Sequence, residues 1–376
     1  MASVRKRTWV SPTGENKTAW FVDYYDNRGQ RQRQHFANKK AADAFRISVE
    51  SQLASGIYRP DASKLTIKAA CQAFTEHCEG RLRRDERMTR KMLTVYRGHI
   101  NNHILHVEHG IAAWRLSQLT ARGVGDFRDR LRDAGATVPT TRKILATLHT
   151  ILEYAISQDW IVANPARAVK VIGPRNEGSK KIVPPDKADL RRIVAVANPA
   201  LRLMILFAAS TGARAGEQWA ARWGDVDFDK AQLRINRRVD AYGEEGPPKT
   251  AAGVRTVPLS AHLVSALKAW KLKSQFSKPE DLIFTNRVGT HVGHDNLIKR
   301  QFARLGPNFN WHGLRHFAVS TWIEAGLSPK TVQTFAGHAS LQVTMDRYGH
   351  LFPSEDHNRA MDRIARHLFT RTPREH

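Results

Sequence analysis

Apolar residues recur in two rhythms along this chain of 376 residues. Near the N-terminus they fall in short runs rich in strand formers, Thr18 to Tyr25 (TAWFVDYY) and Arg31 to Phe36 (RQRQHF). The residues between them, Asp26-Asn27-Arg28-Gly29, are a hairpin signal. The stretch KKAADAFRISVESQLASG then switches to helical spacing and ends at a glycine cap, Gly56. Residues 56 to 64 (GIYRPDASK) read as a linker. From Leu65 to about Val171 the spacing is helical throughout, over Thr66 to His77, Thr89 to His103, Gly123 to Arg132 and Thr140 to Gln158. Residues 173 to 185 (GPRNEGSKKIVPP) combine Gly, Pro, Ser and charge and form the clearest boundary in the chain. After it, Asp186 opens a helix (DKADLRRIVAVA), and Ala200 to Ser210 is apolar enough to be a buried one. Gln232 to Val239 and Gly253 to Leu259 read as strands joined by a polar, Gly- and Pro-rich turn, and helices dominate from Ser260.

This pattern predicts a multidomain, mainly α chain. A small N-terminal three-stranded β plus helix unit spans 1–58. An all-helical domain spans 64–172, and a mixed, mostly helical domain with a small antiparallel sheet spans 183–376.

Charge narrows the functional classes. Lys plus Arg number 60 against 35 Asp plus Glu, a net +25, with a pI near 10.5. Such an excess points to a polyanionic partner, most commonly nucleic acid. Arg28, Arg31 and Arg33 put charge on the predicted hairpin, and a basic β-ribbon suits a DNA groove; the competing reading is a small sheet solubilised by charge. The N-terminal MASVRKRTWV is basic with no apolar region behind it and does not read as a secretory signal. The longest apolar run, around Leu203 to Ala209, is far short of the ~20 residues a membrane span needs. Cys71 and Cys78 would lie about 10.5 Å apart on a helix, too far for a disulfide, which fits a reduced cytoplasmic compartment.

Two groups of residues invite a chemical reading. In GHINNHILHVEHG, His99, His103, His106 and His109 are spaced for one helical face. Without a nearby Cys or an HExxH arrangement, and with Ile100, Ile104 and Leu105 as the buried stripe, no metal site is expected there. The second group is spread over the C-terminal domain. TGARAGE presents Arg214 after a break at Gly212. PPKTAAGVRTVPL puts Lys249 at a turn before a strand. HGLRH sets His312 and Arg315 three residues apart, and GHASLQVTMDRYGH places Tyr348 ten residues after His338. Each alone has a structural explanation: a capped helix, a solvated turn, a satisfied polar face, a packed aromatic.

Taken in order, the set Arg214, Lys249, His312, Arg315, His338, Tyr348 resembles the tyrosine recombinase (phage integrase) family. TGARAGE looks like that family's first arginine box, and HGLRH with the later Gly-His and Tyr348 looks like its second. The helical domain resembles the family's core-binding domain, and the N-terminal unit resembles the arm-binding domain of longer integrases. The chain departs from the family pattern in having Ala336 where leucine is usual, Gly313 where aspartate is common, and the small Ala215 and Gly216 behind Arg214. None of these replaces a catalytic group.

The resemblance implies a site-specific recombinase that cleaves and rejoins DNA through a 3′-phosphotyrosyl link, with integration and excision of a phage or other mobile element as its purpose. Tyrosine is a weak nucleophile while protonated, and attack on a phosphodiester builds charge on the non-bridging oxygens. Two guanidiniums suit that charge, so Arg214 and Arg315 are assigned to the clamp. Lys249 is a candidate general acid for the departing 5′ oxygen. His312 is a candidate acceptor or relay of the tyrosine proton, His338 a donor to the phosphate, and Glu217 an orienting group behind Arg214. The phosphotyrosyl link stores the bond energy, so neither ATP nor another cofactor is expected, and the arginines stand where nucleases use metals. Duplex DNA at attachment sites, a homotetramer on that DNA and DNA-bending or excision accessory proteins are the implied partners. The amphipathic stretch Glu355 to Thr370 resembles a tail helix that docks on a neighbouring protomer or on its own domain. Two readings compete: a type IB topoisomerase, which shares the chemistry but acts alone, and a DNA-binding protein with a relic site.

Overall fold

A computed structural model describes residues 2–12, 15–26, 29–175 and 182–352. Arg28 of the predicted hairpin and the amphipathic stretch Glu355 to Thr370 lie outside the described residues. By its internal contacts the chain divides into two compact units, Met1–Glu177 and Gly178–His376.

The first unit begins with an antiparallel sheet of order β1-β2-β3, comprising β1 (Ser3–Val10), β2 (Asn16–Tyr25) and β3 (Arg31–Phe36). Three strands are expected here, but the apolar pattern locates only β2 and β3, and the reason that β1 escapes it is physical. Almost all of its side chains are exposed, and it is held as an edge strand by its ladder to β2, with Val4 opposite Val22 and Lys6 opposite Trp20. Val22 and Tyr24 of β2 pack with Ala42 and Val49 of α1 (Lys39–Ala54) and with Tyr58 into a small core. Arg31 and Arg33, the predicted groove-facing residues, both engage Asp23. Arg33 Nε donates to Asp23 Oδ1 at 2.8 Å and Arg31 lies 3.3 Å from the same oxygen. The hydrogen bond from Arg33 leads in holding the Asp23 carboxyl below the usual carboxylate range.

A second cluster follows on α2 (Ile67–Arg83), α3 (Arg90–His99), α4 (Ala121–Asp133) and α5 (Val138–Ser157). Each of these helices is started by a threonine, Thr66, Thr89, Thr120 or Thr137, whose hydroxyl accepts a backbone N–H from the first turn. Such a cap contributes about 1 kcal/mol. One π turn, Ile100–Ile104, prolongs α3 and buries Ile100 and Ile104. The histidine run lies here: His99 Nδ1 is 2.7 Å from Thr147 Oγ1, and His106 stacks on His109 with ring centroids 3.9 Å apart.

The second unit opens with α6 (Lys187–Val196), α7 (Pro199–Thr211) and α8 (Ala215–Trp219). Five short strands follow, β4 (Val226–Asp227), β5 (Gln232–Ile235), β6 (Arg238–Val239), β7 (Glu245–Gly246) and β8 (Arg255–Pro258). The run 232–239, expected as one strand, divides at Asn236-Arg237. β5 joins a sheet of order β4-β5-β8, while β6 pairs with β7 as a separate ribbon. Next come α9 (Ala261–Lys273), α10 (His294–Leu297), α11 (Trp311–Glu324), α12 (Pro329–Ala336) and α13 (Leu341–Tyr348). Helix α7 is the buried centre, with Ile205, Phe207 and Ala208 in one cluster with Trp219, Trp223, Phe284, Trp311 and Leu314. Among the described residues no helix is long and apolar enough to cross a membrane.

Candidate active site

Four segments converge on the carbonyl end of α12. The first is the break after α7. Gly212 adopts a left-handed conformation (φ +60), and a β-carbon there would sit 2.7 Å from the Trp322 ring, so only glycine fits. The turn delivers Arg214 to the N-terminus of α8. Its Nη1 donates to Glu217 Oε1 at 2.8 Å, its backbone N–H donates to Glu217 Oε2 at 2.9 Å, and its Nη2 donates to the Gly337 carbonyl at 3.2 Å. The Arg214 side chain remains 40% exposed, so it can still face an incoming anion.

Glu217 is buried and also accepts from Arg255 Nη2 at 2.8 Å. Burial pushes its carboxyl up, but Arg255 and Arg214 outweigh that and hold it below the ordinary value. Arg255 itself is buried on β8 and reaches two further carbonyls, donating from Nε to Phe335 at 2.7 Å and from Nη1 to Gly253 at 2.9 Å. One guanidinium thus ties the start of α8, the turn before β8 and the end of α12. Removing one partner of such a buried pair is costly because it strands the other charge.

Helix α11 brings His312, Arg315 and His316. Arg315 is almost wholly buried, donating from Nη1 to the Gly212 carbonyl at 2.7 Å and from Nη2 to the Ala336 carbonyl. Burial, with Arg214 and Arg255 nearby, pushes it down to about 9, so it stays cationic at neutral pH. His312 is open to solvent on one side, and its ring packs edge-on to His316 at 4.8 Å. Loss of solvent on the crowded side, then His316 and the arginines, push it down to about 4.

After α12, Gly337 turns the chain in the left-handed region (φ +63). His338 follows, buried, with Nδ1 2.9 Å from Thr344 Oγ1 of α13. Its Nε2 is buried and has no hydrogen-bond partner. Burial first, then Arg315 and Arg214, push the imidazole down to about 3, so at neutral pH it is uncharged. In the tautomer in which the Thr344 hydroxyl donates to Nδ1, the ring proton sits on Nε2 and is free to donate to a ligand.

Tyr348 ends α13 and is completely buried. Its ring lies nearly parallel to His338 with centroids 6.2 Å apart, and its hydroxyl is 2.6 Å from His316 Nδ1. Burial raises its pKa, partly countered by Arg315, Arg347 and Arg214, so the hydroxyl keeps its proton in this state.

The structure therefore gathers Arg214, Glu217, Arg315, His338 and Tyr348 around the Gly212, Ala336 and Gly337 carbonyls, with His312 at the edge. Lys249 is not joined to them. It lies exposed between β7 and the turn Ala251–Gly253, with no hydrogen-bond or ion-pair partner among the described residues. Its loop does reach the group, since a β-carbon on Gly337 would lie 3.0 Å from the Ala252 carbonyl oxygen. Sequence reasoning missed Arg255 and His316. His316 carried a signal, four residues after His312 on the same helical face. Arg255 carried none beyond alternating burial on a strand.

Residues 186–355 match the Phage integrase family, the segment that holds this whole arrangement. That segment is a tyrosine recombinase domain of this family. The recombinase is 27% identical over 305 residues to a tyrosine recombinase XerC-like protein of Caldanaerobacter subterraneus subsp. tengcongensis, covering 72% of this chain and 78% of that one. Its fold is similar to a Tn1549 transposon integrase in complex with transposon right end DNA (TM-score 0.63, 18% identity, 80% of this chain and 100% of that one). It is also similar to a lambda integrase tetramer bound to a Holliday junction (TM-score 0.57, 17% identity, 92% and 94% of the two chains). The recombinase is thus an enzyme of site-specific DNA recombination, mainly α with small antiparallel sheets, as its apolar pattern predicted.

Proposed function

We propose that this recombinase cuts and rejoins DNA through a 3′-phosphotyrosyl intermediate on Tyr348, and that it integrates and excises a phage or other mobile element. The observation that carries the reading is the buried, unpartnered Nε2 of His338, which sits beside the Tyr348 ring in a site surrounded by arginines. A buried donor without an acceptor costs free energy unless a ligand completes it, and a non-bridging phosphate oxygen is a fitting acceptor. Arg214 and Arg315 clamp the phosphate, and Glu217 aligns Arg214 through two hydrogen bonds. Lys249, on its exposed loop, swings to the 5′ oxygen and protonates it as it leaves. His312, expected to accept or relay the tyrosine proton, has its ring against His316 rather than the Tyr348 hydroxyl, and in this reading it contacts the DNA strand beside the phosphate. No step calls for ATP or a metal ion.

In this reading residues 1–58 bind arm-type DNA through the basic hairpin with Arg28, Arg31 and Arg33, residues 64–172 bind the core site, and residues 183–376 carry catalysis. Four protomers act on two duplexes, as the lambda integrase tetramer on a Holliday junction suggests by analogy. Accessory proteins that bend DNA set the direction. Phosphate contacts dominate affinity, so binding weakens steeply with salt.

The test is a nicked duplex built from the junction at which the element sits in its host chromosome. A covalent protein–DNA complex carried on Tyr348 should form in EDTA, and loss of all cleavage in EDTA would contradict the metal-free mechanism. Lys249→Ala should lose cleavage of the normal substrate and regain it with a 5′-bridging phosphorothiolate, whose leaving group needs no proton. Relaxation of supercoils by a lone protomer on DNA without a defined site would point to a topoisomerase instead.

A further inference from the structure

The Tyr348 hydroxyl must give up a proton as its oxygen bonds to phosphorus, because a protonated oxygen cannot complete the attack. Its burial raises its pKa, so it does not shed that proton unaided at neutral pH. The group it touches is Nδ1 of His316, at 2.6 Å. We propose that His316 takes the proton from Tyr348 as the tyrosine attacks DNA. This rests on the reading of Tyr348 as the nucleophile.

The surroundings of His316 suit the role. His312 and Arg315 face it from α11, and Tyr348 and Arg347 face it from α13. Among the described residues its surroundings are cationic or neutral. Burial, Arg315 and Arg347 all favour the uncharged ring and push its pKa below the ordinary value. An uncharged imidazole has one bare nitrogen. The role requires the tautomer in which the hydroxyl donates to Nδ1 and Nε2 holds the ring's own proton.

The step balances. The bond between Tyr348 Oη and phosphorus forms, the bond from phosphorus to the 5′ oxygen breaks, and the hydroxyl proton passes to Nδ1. The departing oxygen takes a separate proton, from Lys249 in the reading above. The imidazolium so formed lies close to the guanidiniums of Arg315 and Arg347, which disfavour it and so favour return of the proton. When a 5′ hydroxyl later attacks the phosphotyrosyl link, Tyr348 leaves as a neutral phenol by taking that proton back. One histidine thereby serves both directions of strand exchange.

The test is His316→Asn, which sets an amide oxygen near the place of Nδ1 and can accept the hydrogen bond but not hold the proton. Single-turnover formation of the covalent complex should fall about 10²- to 10⁴-fold, the usual range for a lost general base, with DNA affinity unchanged. In the native enzyme the rate should fall as pH drops through the histidine's pKa and level off above it. In the variant it should climb with pH up to the tyrosine's own ionisation. Imidazole added to His316→Gly should restore part of the rate, a rescue that a packing role would not give. If His316→Asn cleaves at the native rate with the native pH profile, the proposal is overturned. If it fails to fold by circular dichroism, His316→Gln and the imidazole experiment decide, and absence of rescue in a folded His316→Gly overturns it equally. Tyr348→Phe separates the two layers. An adduct in that variant would remove the nucleophile assignment itself, whereas no adduct there, with native cleavage by His316→Asn, would remove only the base.

Discussion

The recombinase holds two groups of histidines, each containing a pair one helical turn apart, His99 with His103 and His312 with His316. In the helical domain His99, His103 and His109 have lowered pKa values, caused first by burial. In the second unit His312, His316 and His338 are lowered too, again first by burial. Even the orphaned atom is shared, for His109 Nε2 is as unpartnered as His338 Nε2. The groups differ in what else the fold delivers. The first meets a threonine hydroxyl and its own neighbours. The second meets a buried tyrosine hydroxyl and the guanidiniums of Arg214, Arg315 and Arg347. Helical spacing can bring imidazoles together anywhere. What sets the second group apart is a tyrosine hydroxyl and converging positive charge, supplied in part by elements far off in sequence.

Substitutions can break or sharpen that contrast. The largest effect belongs to Tyr348→Phe, which should abolish the covalent complex on a denaturing gel while leaving DNA binding by mobility shift intact. Arg214→Lys keeps the charge but loses the planar fork. Cleavage should slow about 10²- to 10³-fold, the scale of a lost oxyanion donor, read in single turnover. Arg255→Met leaves Glu217 buried without its strongest partner, and the denaturant midpoint should fall by an amount corresponding to about 3–5 kcal/mol.

A smaller effect is linked to pH. The folded-state pKa of His338 lies near 3, below the unfolded value, so on acidification the unfolded chain binds a proton that the folded one refuses. Its contribution to stability is therefore lost progressively as pH falls below about 6.5. His338→Asn should flatten that decline in chemical denaturation measured across pH. His106→Ala, in the first group, should leave cleavage at the native rate; a loss of activity there would erase the contrast between the two groups.

Much of this was legible before any coordinates. The apolar spacing located the helices of the first unit, although α2 runs on past His77 to Arg83, because a buried stripe is a local signal. Gly212 announced the break that presents Arg214. The less legible features are those decided by tertiary pairing. Strand β1 is defined by its ladder to β2 rather than by its own polar side chains. The split at Asn236-Arg237 depends on which partner each half finds. Arg255 looked like one charge among sixty basic residues, and its importance lies in reaching Glu217, Gly253 and Phe335 at once. His316 stood inside a quoted motif, yet only the path of α13 reveals which histidine meets the tyrosine.

Gly337 has a consequence for anyone wishing to retarget this recombinase. A β-carbon there would lie 2.9 Å from Arg255 Nη1 and 3.0 Å from the Ala252 oxygen, on a backbone that L-residues avoid. A mutagenesis library meant to change target preference should therefore hold this codon fixed, together with those for Ala252 and Arg255. Diversity belongs on exposed positions away from this knot, since a variant that loses the turn would be scored as a specificity failure when its His338 had merely been displaced.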